Sequence, residues 1–294
     1  MLVPLIVILI ALADGSGAAH GETASRIVEA GAVVTMISDG YKFTEGPASD
    51  SKGNLYFSDY GTDRILTLSP DGTVKVFTED VSGPIGLYFD SSDNLYVCAA
   101  REHRIKVINN DGGMSVFPDR FNGKLFNSPN DIWIDPEGGV YFTDPRFAPL
   151  PEEVEQDGLH VYYIPPGGGS IIRAADDLSG PNGLVGTADG RHVYITDTHE
   201  NKTFVYDVND DGTLSGKRTF APEGYDGLTV DTEGNVYITM KKSVEIYSRD
   251  GEKIESIQVP GSPTNVCFGG RDRKTLFITA RVSLLSIRTR IRGL

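Results

Sequence analysis

The most regular feature of the chain is an apolar strand segment with an aromatic residue at its centre, which recurs six times. Successive aromatic residues lie 40 to 53 residues apart. A repeat of this length indicates units that close into a ring or stack into a solenoid. The six segments are Leu55-Tyr56-Phe57, Leu95-Tyr96-Val97, Val140-Tyr141-Phe142, Val193-Tyr194-Ile195, Val236-Tyr237-Ile238 and Leu276-Phe277-Ile278.

Each aromatic segment is preceded by one strand pattern and is followed by one or two more. In the third repeat, residues 131–134 form the preceding strand and 135–139 form an Asp/Gly-rich turn. In the first repeat, the patterns at 64–68 and 74–78 follow. Strands of about five residues between Gly-rich turns, without a helical period, predict an all-β protein. Four strands per repeat are typical of a propeller blade.

The pattern therefore predicts a six-bladed β-propeller of four-stranded antiparallel blades. The last repeat, residues 262–290, supplies only three strands. We expect the segment 26–38, with its apolar run Ala32-Val33-Val34, to supply the fourth strand and to close the ring. Closure in this way removes two exposed sheet edges. Because the composition does not change along the chain, residues 24–294 are predicted to form a single domain.

One position of the repeat carries candidate chemistry. It lies 11 residues before the aromatic residue, or 12 in the fourth and sixth copies. Residues at the same phase of a ring converge on its axis, so oxygen-bearing side chains at this position are predicted to meet there. The six occupants are Glu45, Ile85, Asn130, Asn182, Asp226 and Asn265.

Carboxylate and amide oxygens are the ligands that hard divalent cations select. We therefore predict a cation site formed by Glu45, Asn130, Asn182 and Asp226, with Ca²⁺ as the first choice and Zn²⁺, Mg²⁺ or Mn²⁺ as alternatives. His or Cys, the usual zinc ligands, occupy none of the six positions. The alternative is that these residues only begin turns and cap strand ends. Asn265 is interpreted as a structural side chain bonded to backbone, and the alternative that it is a further ligand is left open.

The hairpin geometry also predicts which residues surround the site at the open end of the ring. Three aspartates lie where the second strand of a hairpin comes back level with the site position, and we expect them to form a rim: Asp59, Asp144 and Asp197. Lys124, Arg101 and His103 are candidate substrate contacts, with a plain surface role as the alternative for the last two. The long connection 145–158 leaves from the same end and is a candidate lid.

Composition narrows the choice of partners. The net charge of −14 argues against nucleic acid and anionic membranes as partners, and a small-molecule substrate remains. Residues 1–13 are apolar and small residues follow, which predicts a signal peptide at 1–19 and a secreted or periplasmic mature domain that is not inserted in a membrane. A retained lipid-facing anchor is the alternative. Two cysteines, Cys98 and Cys267, are expected to be free thiols. The oligomeric state is left open.

Several motifs resemble a known family. They are FTEGP at 43–47, FNSPNDIWIDPEGGVYFTDP at 126–145, SGPNGLVGTADGRHVYITDT at 179–198, YDGLTVDTEGNVYI at 225–238 and SPTNVCFGG at 262–270. In these residues the chain resembles the senescence-marker-protein/gluconolactonase/luciferin-regenerating-enzyme family of six-bladed propellers. It looks most similar to the bacterial gluconolactonase branch.

The resemblance implies Glu45, Asn182 and Asp226 as metal ligands, Asn130 as a ligand or substrate contact, and Asp226 as a candidate acid or base. Members of the family bind Ca²⁺ or another divalent ion and open lactones of sugar acids, and some relatives hydrolyse organophosphates. Some members have an arginine two residues before the Asn130 position, where this chain has Ser128. The sequence leaves open whether Lys124 takes its place.

Together these observations predict a metal-dependent lactonase in which the ion polarises the substrate carbonyl and Asp226 takes a proton from water. Two alternatives remain at this stage. One is a phosphotriesterase or arylesterase at the same ion. The other is a non-catalytic propeller that binds a partner and holds a structural ion.

Overall fold

The computed structural model describes residues 25–147 and 155–294 of the chain. The predicted signal peptide, 1–19, lies outside the described residues, as do residues 148–154 of the candidate lid. Among the described residues, no helix has the length and apolar character that crossing a bilayer requires. Two short 3₁₀ turns, Tyr60–Thr62 and Ala100–Glu102, are the helical elements of this part of the chain.

The described chain is built from antiparallel strands, which confirms the all-β prediction. In chain order the strands are β1 (Thr35–Ser49), β2 (Leu55–Asp59), β3 (Arg64–Leu68), β4 (Val74–Thr78), β5 (Pro84–Phe89), β6 (Leu95–Ala99), β7 (Arg104–Ile108), β8 (Met114–Val116), β9 (Arg120–Phe121), β10 (Lys124–Leu125), β11 (Ile132–Ile134), β12 (Val140–Asp144), β13 (His160–Ile164), β14 (Ile172–Ala175), β15 (Pro181–Gly186), β16 (His192–Asp197), β17 (Lys202–Val208), β18 (Leu214–Ala221), β19 (Leu228–Val230), β20 (Val236–Thr239), β21 (Ser243–Tyr247), β22 (Lys253–Gln258), β23 (Asn265–Gly269) and β24 (Thr275–Arg288).

The strands form a propeller-like arrangement of antiparallel sheets. Four sheets are simple four-stranded meanders: β5 to β8, β11 to β14, β15 to β18 and β19 to β22. A larger sheet has the order β23-β24-β1-β2-β3-β4, and β9 and β10 form a small separate hairpin. All six aromatic segments of the sequence lie in the second strand of a hairpin, as predicted.

Strand β1 connects the two ends of the chain. Its C-terminal part pairs with β2 at Ala48↔Tyr56, and its N-terminal part pairs with β24 at Thr35↔Ser286. The apolar run 32–34, which was expected to pair, instead precedes the strand. The ladder with β24 begins at Thr35, within the segment 26–38 that was expected to supply a strand, while Val34 packs against a buried cluster of the last sheets.

The aromatic positions form the core between adjacent sheets. Trp133 and Tyr141 of the β11–β14 sheet stack with ring centroids 5.6 Å apart. They pack in one cluster with Leu184 and Tyr206 of the β15–β18 sheet. Burying a large apolar side chain contributes about 1.5–3 kcal/mol. The repeated aromatic residue therefore holds each sheet against its neighbour.

The turns between the first and second strands are fixed by aspartates. In the fifth repeat, Asp231 Oδ1 accepts hydrogen bonds from the backbone N–H groups of Glu233 and Asn235, both at 2.9 Å. This bonding is the mechanism by which Asp initiates a turn. The equivalent aspartates bond in the same way, namely Asp50, Asp90 and Asp135.

Candidate functional site

Glycines allow the first strands of neighbouring sheets to approach one another closely at the site. Four of the six site positions are followed by glycine, namely Gly46, Gly86, Gly183 and Gly227. A Cβ on Gly86 would lie 2.5 Å from the carbonyl oxygen of Asn130, and one on Gly183 would lie 2.6 Å from that of Asp226. Only a residue without a side chain fits such a gap. The repeated glycine is thus a sequence signal that the first strands approach one another, and the sequence prediction did not use it.

Buried hydroxyls fix the backbone of the site residues from the neighbouring sheet. Each lies on the second strand of its sheet, two residues after the repeated aromatic. Thr143 Oγ1 donates to the carbonyl of Asn182 at 2.6 Å, and Thr196 Oγ1 donates to the carbonyl of Asp226 at 2.5 Å. Ser58 donates in the same way to Ile85 at 2.8 Å. In the second sheet, buried Cys98 holds this position instead.

The structure brings Glu45 and Asp226 together, although they lie in different sheets. Glu45 is buried, and its Oε2 accepts the backbone N–H of Gly46 at 2.8 Å. Burial and then the negative charge of Asp226 raise the pKa of Glu45 well above its usual value. Burial and then the charge of Asp131 raise the pKa of Asp226 to about 8. Two neighbouring carboxylates with little exposure to water disfavour each other's ionised form unless a cation compensates them.

Asn182 joins this pair. Its side-chain amide interacts with the Asp226 carboxylate and lowers the pKa of that group. The Nδ2 atom also donates to Thr198 Oγ1 at 3.0 Å. Because the amide hydrogens have these partners, the side-chain carbonyl oxygen is the atom that Asn182 can offer to a ligand.

The structure holds Asn130 in the same ring of inner strands by its backbone. Its N–H donates to the carbonyl of Thr143 at 2.9 Å, and its carbonyl accepts the N–H of Gly86 at 2.8 Å. Its side chain is half-buried. Within the described ranges, no hydrogen bond links this side chain to Glu45 or Asp226, so its predicted role as a ligand stays a prediction.

Asp131 is a third carboxylate in the cluster, and the sequence reading missed it. It occupies the position that holds glycine in four other repeats. Its Oδ1 accepts the N–H of Ile132 at 3.0 Å, and its Oδ2 accepts the N–H of Leu184, in the next sheet, at 3.1 Å. Burial raises the pKa of Asp131 to about 7. Asp131 therefore ties two sheets together and adds negative charge beside Asp226.

Asn265 has the structural role that was expected of it. Its Oδ1 accepts the N–H of Val266 at 2.8 Å, and its backbone N–H donates to Thr279 Oγ1 at 3.0 Å. Its amide interacts with the carboxylates of Glu45 and Asp131 and favours their ionised forms. Asn265 thus presents a donor to the cluster, and its oxygen is engaged elsewhere.

The three rim aspartates are buried anchors, which corrects the sequence prediction. Asp144 is fully buried and accepts the backbone N–H groups of Asn127 and Ser128 at 2.8 and 2.7 Å. Asp59 and Asp197 bond the entering segments of their own sheets in the same way. Each of these carboxylates lies at the end of a second strand, beside the segment through which the chain enters the same sheet. The backbone N–H groups of that segment would otherwise lack partners. These side chains are therefore engaged in holding the strands that carry the site.

The structure places the other predicted contacts around the same end of the sheets. Arg101 forms an ion pair with Asp63 and lies over the ring of Tyr60. His103 Nδ1 is 2.9 Å from the carbonyl oxygens of both Phe126 and Asn127, so this ring holds the segment before Asn130. Lys124 is exposed on the β9–β10 hairpin. Contact of these residues with a substrate stays a prediction.

A cavity of about 500 Å³ occupies the far side of the cluster, enclosed by the first strands of the sheets. Asp131 and Asn265 form its boundary towards the cluster, and Arg273 lies at its other end, near the turns. Asp131 and Asn265 thus lie between this cavity and the carboxylates of Glu45 and Asp226.

The chemistry of the cluster fits a hard divalent cation. Glu45 and Asp226 bring two negative charges and Asn182 a neutral oxygen, which is the donor type that Ca²⁺ and Mg²⁺ prefer. In the described parts of the chain, no three His, Cys, Asp or Glu side chains form a metal site by themselves. Amide oxygens would therefore have to complete the coordination.

Comparison with known proteins gives a consistent result. A gluconolactonase from Zymomonas mobilis is 29% identical over 303 residues, which cover 91% of this chain and 84% of that protein. The structure of a gluconolactonase from Xanthomonas campestris has 30% identity and a TM-score of 0.83, over 88% of this chain and 90% of that one. A calcium-binding regucalcin from Agrobacterium tumefaciens shares the fold at 19% identity and a TM-score of 0.74, over 90% and 96% of the two chains.

The match to a family extends over most of the chain. Residues 43–282 match the family described as SMP-30/Gluconolactonase/LRE-like region. This span includes all the site positions from Glu45 to Asn265, and it confirms the resemblance seen in the sequence motifs. The chain therefore belongs to the SMP-30/gluconolactonase/LRE-like family of lactonase-like hydrolases.

Proposed function

We propose that the chain is a divalent-cation-dependent lactonase that opens small-molecule lactones of the sugar-acid type. The observation that carries the proposal is the close pair of carboxylates, buried Glu45 and half-buried Asp226, beside Asn182. Relatives that share 29–30% identity over most of the chain are gluconolactonases, which supports the reaction class.

Glu45, Asn182 and Asp226 would hold the cation, and Asn130 is the candidate to complete its coordination. When bound, a divalent cation would supply Lewis-acid polarisation of the substrate carbonyl and would neutralise the two carboxylates. Ca²⁺ is our first choice because each donor is an oxygen.

The chain's own residues would supply the proton transfer and the orientation. Asp226 is partly exposed, whereas Glu45 is buried, so Asp226 is the carboxylate that water can reach. Asp226 would take a proton from the attacking water as a general base. The Asn182 amide and the Thr196 hydroxyl hold its side chain and its backbone, respectively. Asn130 would orient the lactone.

The architecture that we propose for this enzyme has six blades. In this interpretation the six-stranded sheet comprises two blades. One is formed by the C-terminal half of β1 with β2, β3 and β4. The other is formed by β23, the two halves of β24 and the N-terminal half of β1. The change of pairing partner along β1, from Ser283 at Asp39 to Tyr56 at Ala48, supports this division. A single N-terminal strand would then close the ring.

A titration of acid release over a panel of lactones, with paraoxon as a phosphotriester, tests the proposal. We expect lactone turnover that a chelator removes and that Ca²⁺, Mg²⁺, Mn²⁺ or Zn²⁺ restores to different degrees. Turnover of paraoxon but not of lactones would instead establish phosphotriesterase activity. If Ca²⁺ raises the melting temperature and no substrate is turned over, the protein is a binding module with a structural ion.

The variant Asp226→Asn separates catalysis from metal binding. We expect it to lose turnover at saturating Ca²⁺ by about 10²-fold or more, the usual contribution of a general base, while it retains measurable Ca²⁺ binding. Asp189→Asn, in an exposed turn at the other end of the sheets, is the matched control. Wild-type turnover in Asp226→Asn would rule out the role as a base.

We also propose that the protein is exported and that residues 1–19 are removed on the way. N-terminal sequencing of the protein recovered from the periplasm or the medium should begin near residue 20. Recovery of the intact chain from the cytosol would contradict export.

A further inference from the structure

Three cations at the site end of the sheets lie over aromatic rings. The guanidinium carbon of Arg101 is 4.1 Å from the ring centre of Tyr60, and that of Arg281 is 5.5 Å from the ring centre of Phe43. The ammonium of Lys241 is 5.5 Å from the ring centre of Tyr225. Arg101 and Lys241 come shortly after the second strands β6 and β20, and Arg281 lies within β24, beyond its pairing with β23.

Two of these rings belong to residues that adjoin the site carboxylates. Tyr225 directly precedes Asp226, and Phe43 lies two residues before Glu45. Arg281 pairs with Thr44 across the β1–β24 ladder. Arg281 and Lys241 therefore lie on neighbouring sheets, on the side of the opening where Glu45 and Asp226 meet.

The backbone holds Arg281 in an unusual conformation. Its φ is 53°, in the left-handed region, at the point where β24 changes its partner from β23 to β1. A non-glycine residue in this region costs about 1–2 kcal/mol. The Arg281 side chain is exposed at this point of β24, and the ring of Phe43 packs against its guanidinium.

Arg281 and Lys241, the two cations beside the site carboxylates, differ from Arg101 because they have no carboxylate partner among the described residues. Arg101 is paired with Asp63. Across residues 25–147 and 155–294, neither Arg281 nor Lys241 forms an ion pair with a carboxylate or donates a side-chain hydrogen bond. The chain has 41 acidic and 27 basic residues, so carboxylate partners are in excess, yet these two cations have none in the part of the chain that the structure describes. An aromatic face stabilises a cation and leaves its N–H donors available.

We propose that Arg281 and Lys241 bind a negatively charged group of the substrate, remote from the lactone carbonyl. The substrate class is then an acidic lactone that carries a carboxylate or a phosphate in addition to its ring ester. The inference rests on the proposed lactonase function. A guanidinium fork and a mobile ammonium are suited to such oxyanions. They would also offset the repulsion that an acidic protein exerts on an anionic substrate.

Two matched pairs of lactones test this inference. The γ-lactones of glucaric and gluconic acid differ only in a carboxylate in place of a terminal hydroxymethyl group. The δ-lactones of phosphogluconic and gluconic acid provide the phosphate arm. The variants are Arg281→Met and Lys241→Met. Arg191→Met, an exposed residue in a turn at the opposite end of the sheets, is the control.

We expect each variant to raise KM for the preferred anionic lactone by about 10- to 100-fold, as the loss of a hydrogen bond to a charged group implies. In both variants KM for the neutral partner should change by less than about twofold, and in Lys241→Met so should its kcat. Added salt should raise KM for the anionic lactone alone, because salt screens exposed charges. The pair of lactones in which the variants raise KM shows whether the bound group is a carboxylate or a phosphate.

Three results would overturn the inference. Wild-type enzyme could open the charged and neutral members of both pairs with equal kcat/KM. Lys241→Met could lower kcat for the neutral lactone as strongly as for the charged one, which would place this cation at the reacting carbonyl. Arg191→Met could reproduce their effect.

Calorimetric binding of the open-chain acids keeps the inference separate from the proposed activity, because it needs no turnover. Glucarate or phosphogluconate should bind more tightly than gluconate, and the difference should vanish in Arg281→Met. Equal binding of the three acids would overturn the anion site even if lactones are hydrolysed. If the charged acids bind more tightly than gluconate but no lactone is hydrolysed, only the proposed lactonase activity is refuted.

Discussion

Replacement of Thr196 by valine should loosen the site without changing the shape of the core. The Thr196 hydroxyl is fully buried, donates to the carbonyl of Asp226 at 2.5 Å and accepts the N–H of Gly183 at 2.9 Å. Valine has nearly the same shape and β propensity but makes neither bond. A carbonyl on one sheet and an N–H on the other would then remain buried without these partners.

The magnitude follows from the cost of a buried polar group without a partner, which is about 1–3 kcal/mol. For two such groups we expect a loss of roughly 2–5 kcal/mol in the free energy of unfolding. In a domain of this size each kcal/mol lowers the melting temperature by about 2–4 °C. We also expect lower turnover, because Thr196 fixes the backbone of Asp226.

Urea denaturation and lactone turnover, measured on the same preparations, check this expectation. Thr196→Ser restores the hydroxyl and should recover most of the stability and turnover. Thr219→Val changes an exposed strand threonine and controls for the substitution itself. If Thr196→Val unfolds within about 0.5 kcal/mol of the wild type, the usual range for neutral surface changes, the hydroxyl does not hold the two sheets.

The remaining predictions concern close packing and pH. Gly183→Ala places a Cβ 2.6 Å from the Asp226 carbonyl oxygen, so overpacking should lower the free energy of unfolding by about 1–3 kcal/mol and reduce turnover. Unchanged unfolding by calorimetry and unchanged kinetics would contradict the close approach. Arg288 lowers the pKa of Asp272 from 3.8 to about 2, so this pair should add stability above about pH 4 that is lost as the pH falls towards 2. Arg288→Met should flatten the acid limb of the stability profile, and an unchanged limb would show that the ion pair contributes nothing.

Local features of the sequence predicted the sheets and much of the site. The aromatic at the centre of each second strand and the Asp that begins each turn depend on nearby residues only, and both behave as expected. The phase rule also found Glu45, Asn182 and Asp226, because residues at equal positions in repeated hairpins lie at the same end. In the structure these residues act on one another's charges, and their role as metal ligands stays a prediction.

Other residues of the site could not be read from the repeat. Asp131 was missed because it replaces a glycine, and only the close approach of Leu184 shows what its carboxylate does. Asp144 was placed on the rim by correct hairpin geometry, but its burial depends on the entering chain that packs over it. The start of the N-terminal ladder could not be read from the apolar run, because Ala32 and Val34 pack against the last sheets before Thr35, while Val33 is exposed.

The sequence by itself determined that this protein is a repeating all-β domain with oxygen-bearing side chains at one phase. Alternation along a strand and turn-forming residues are short-range effects, and they do not need the rest of the chain. Only the tertiary structure decided which of those side chains meet, and that Arg281 and Lys241 lie over rings beside Glu45 and Asp226. These contacts join residues as far apart as Phe43 and Arg281, and their distances are set by how closely the sheets pack.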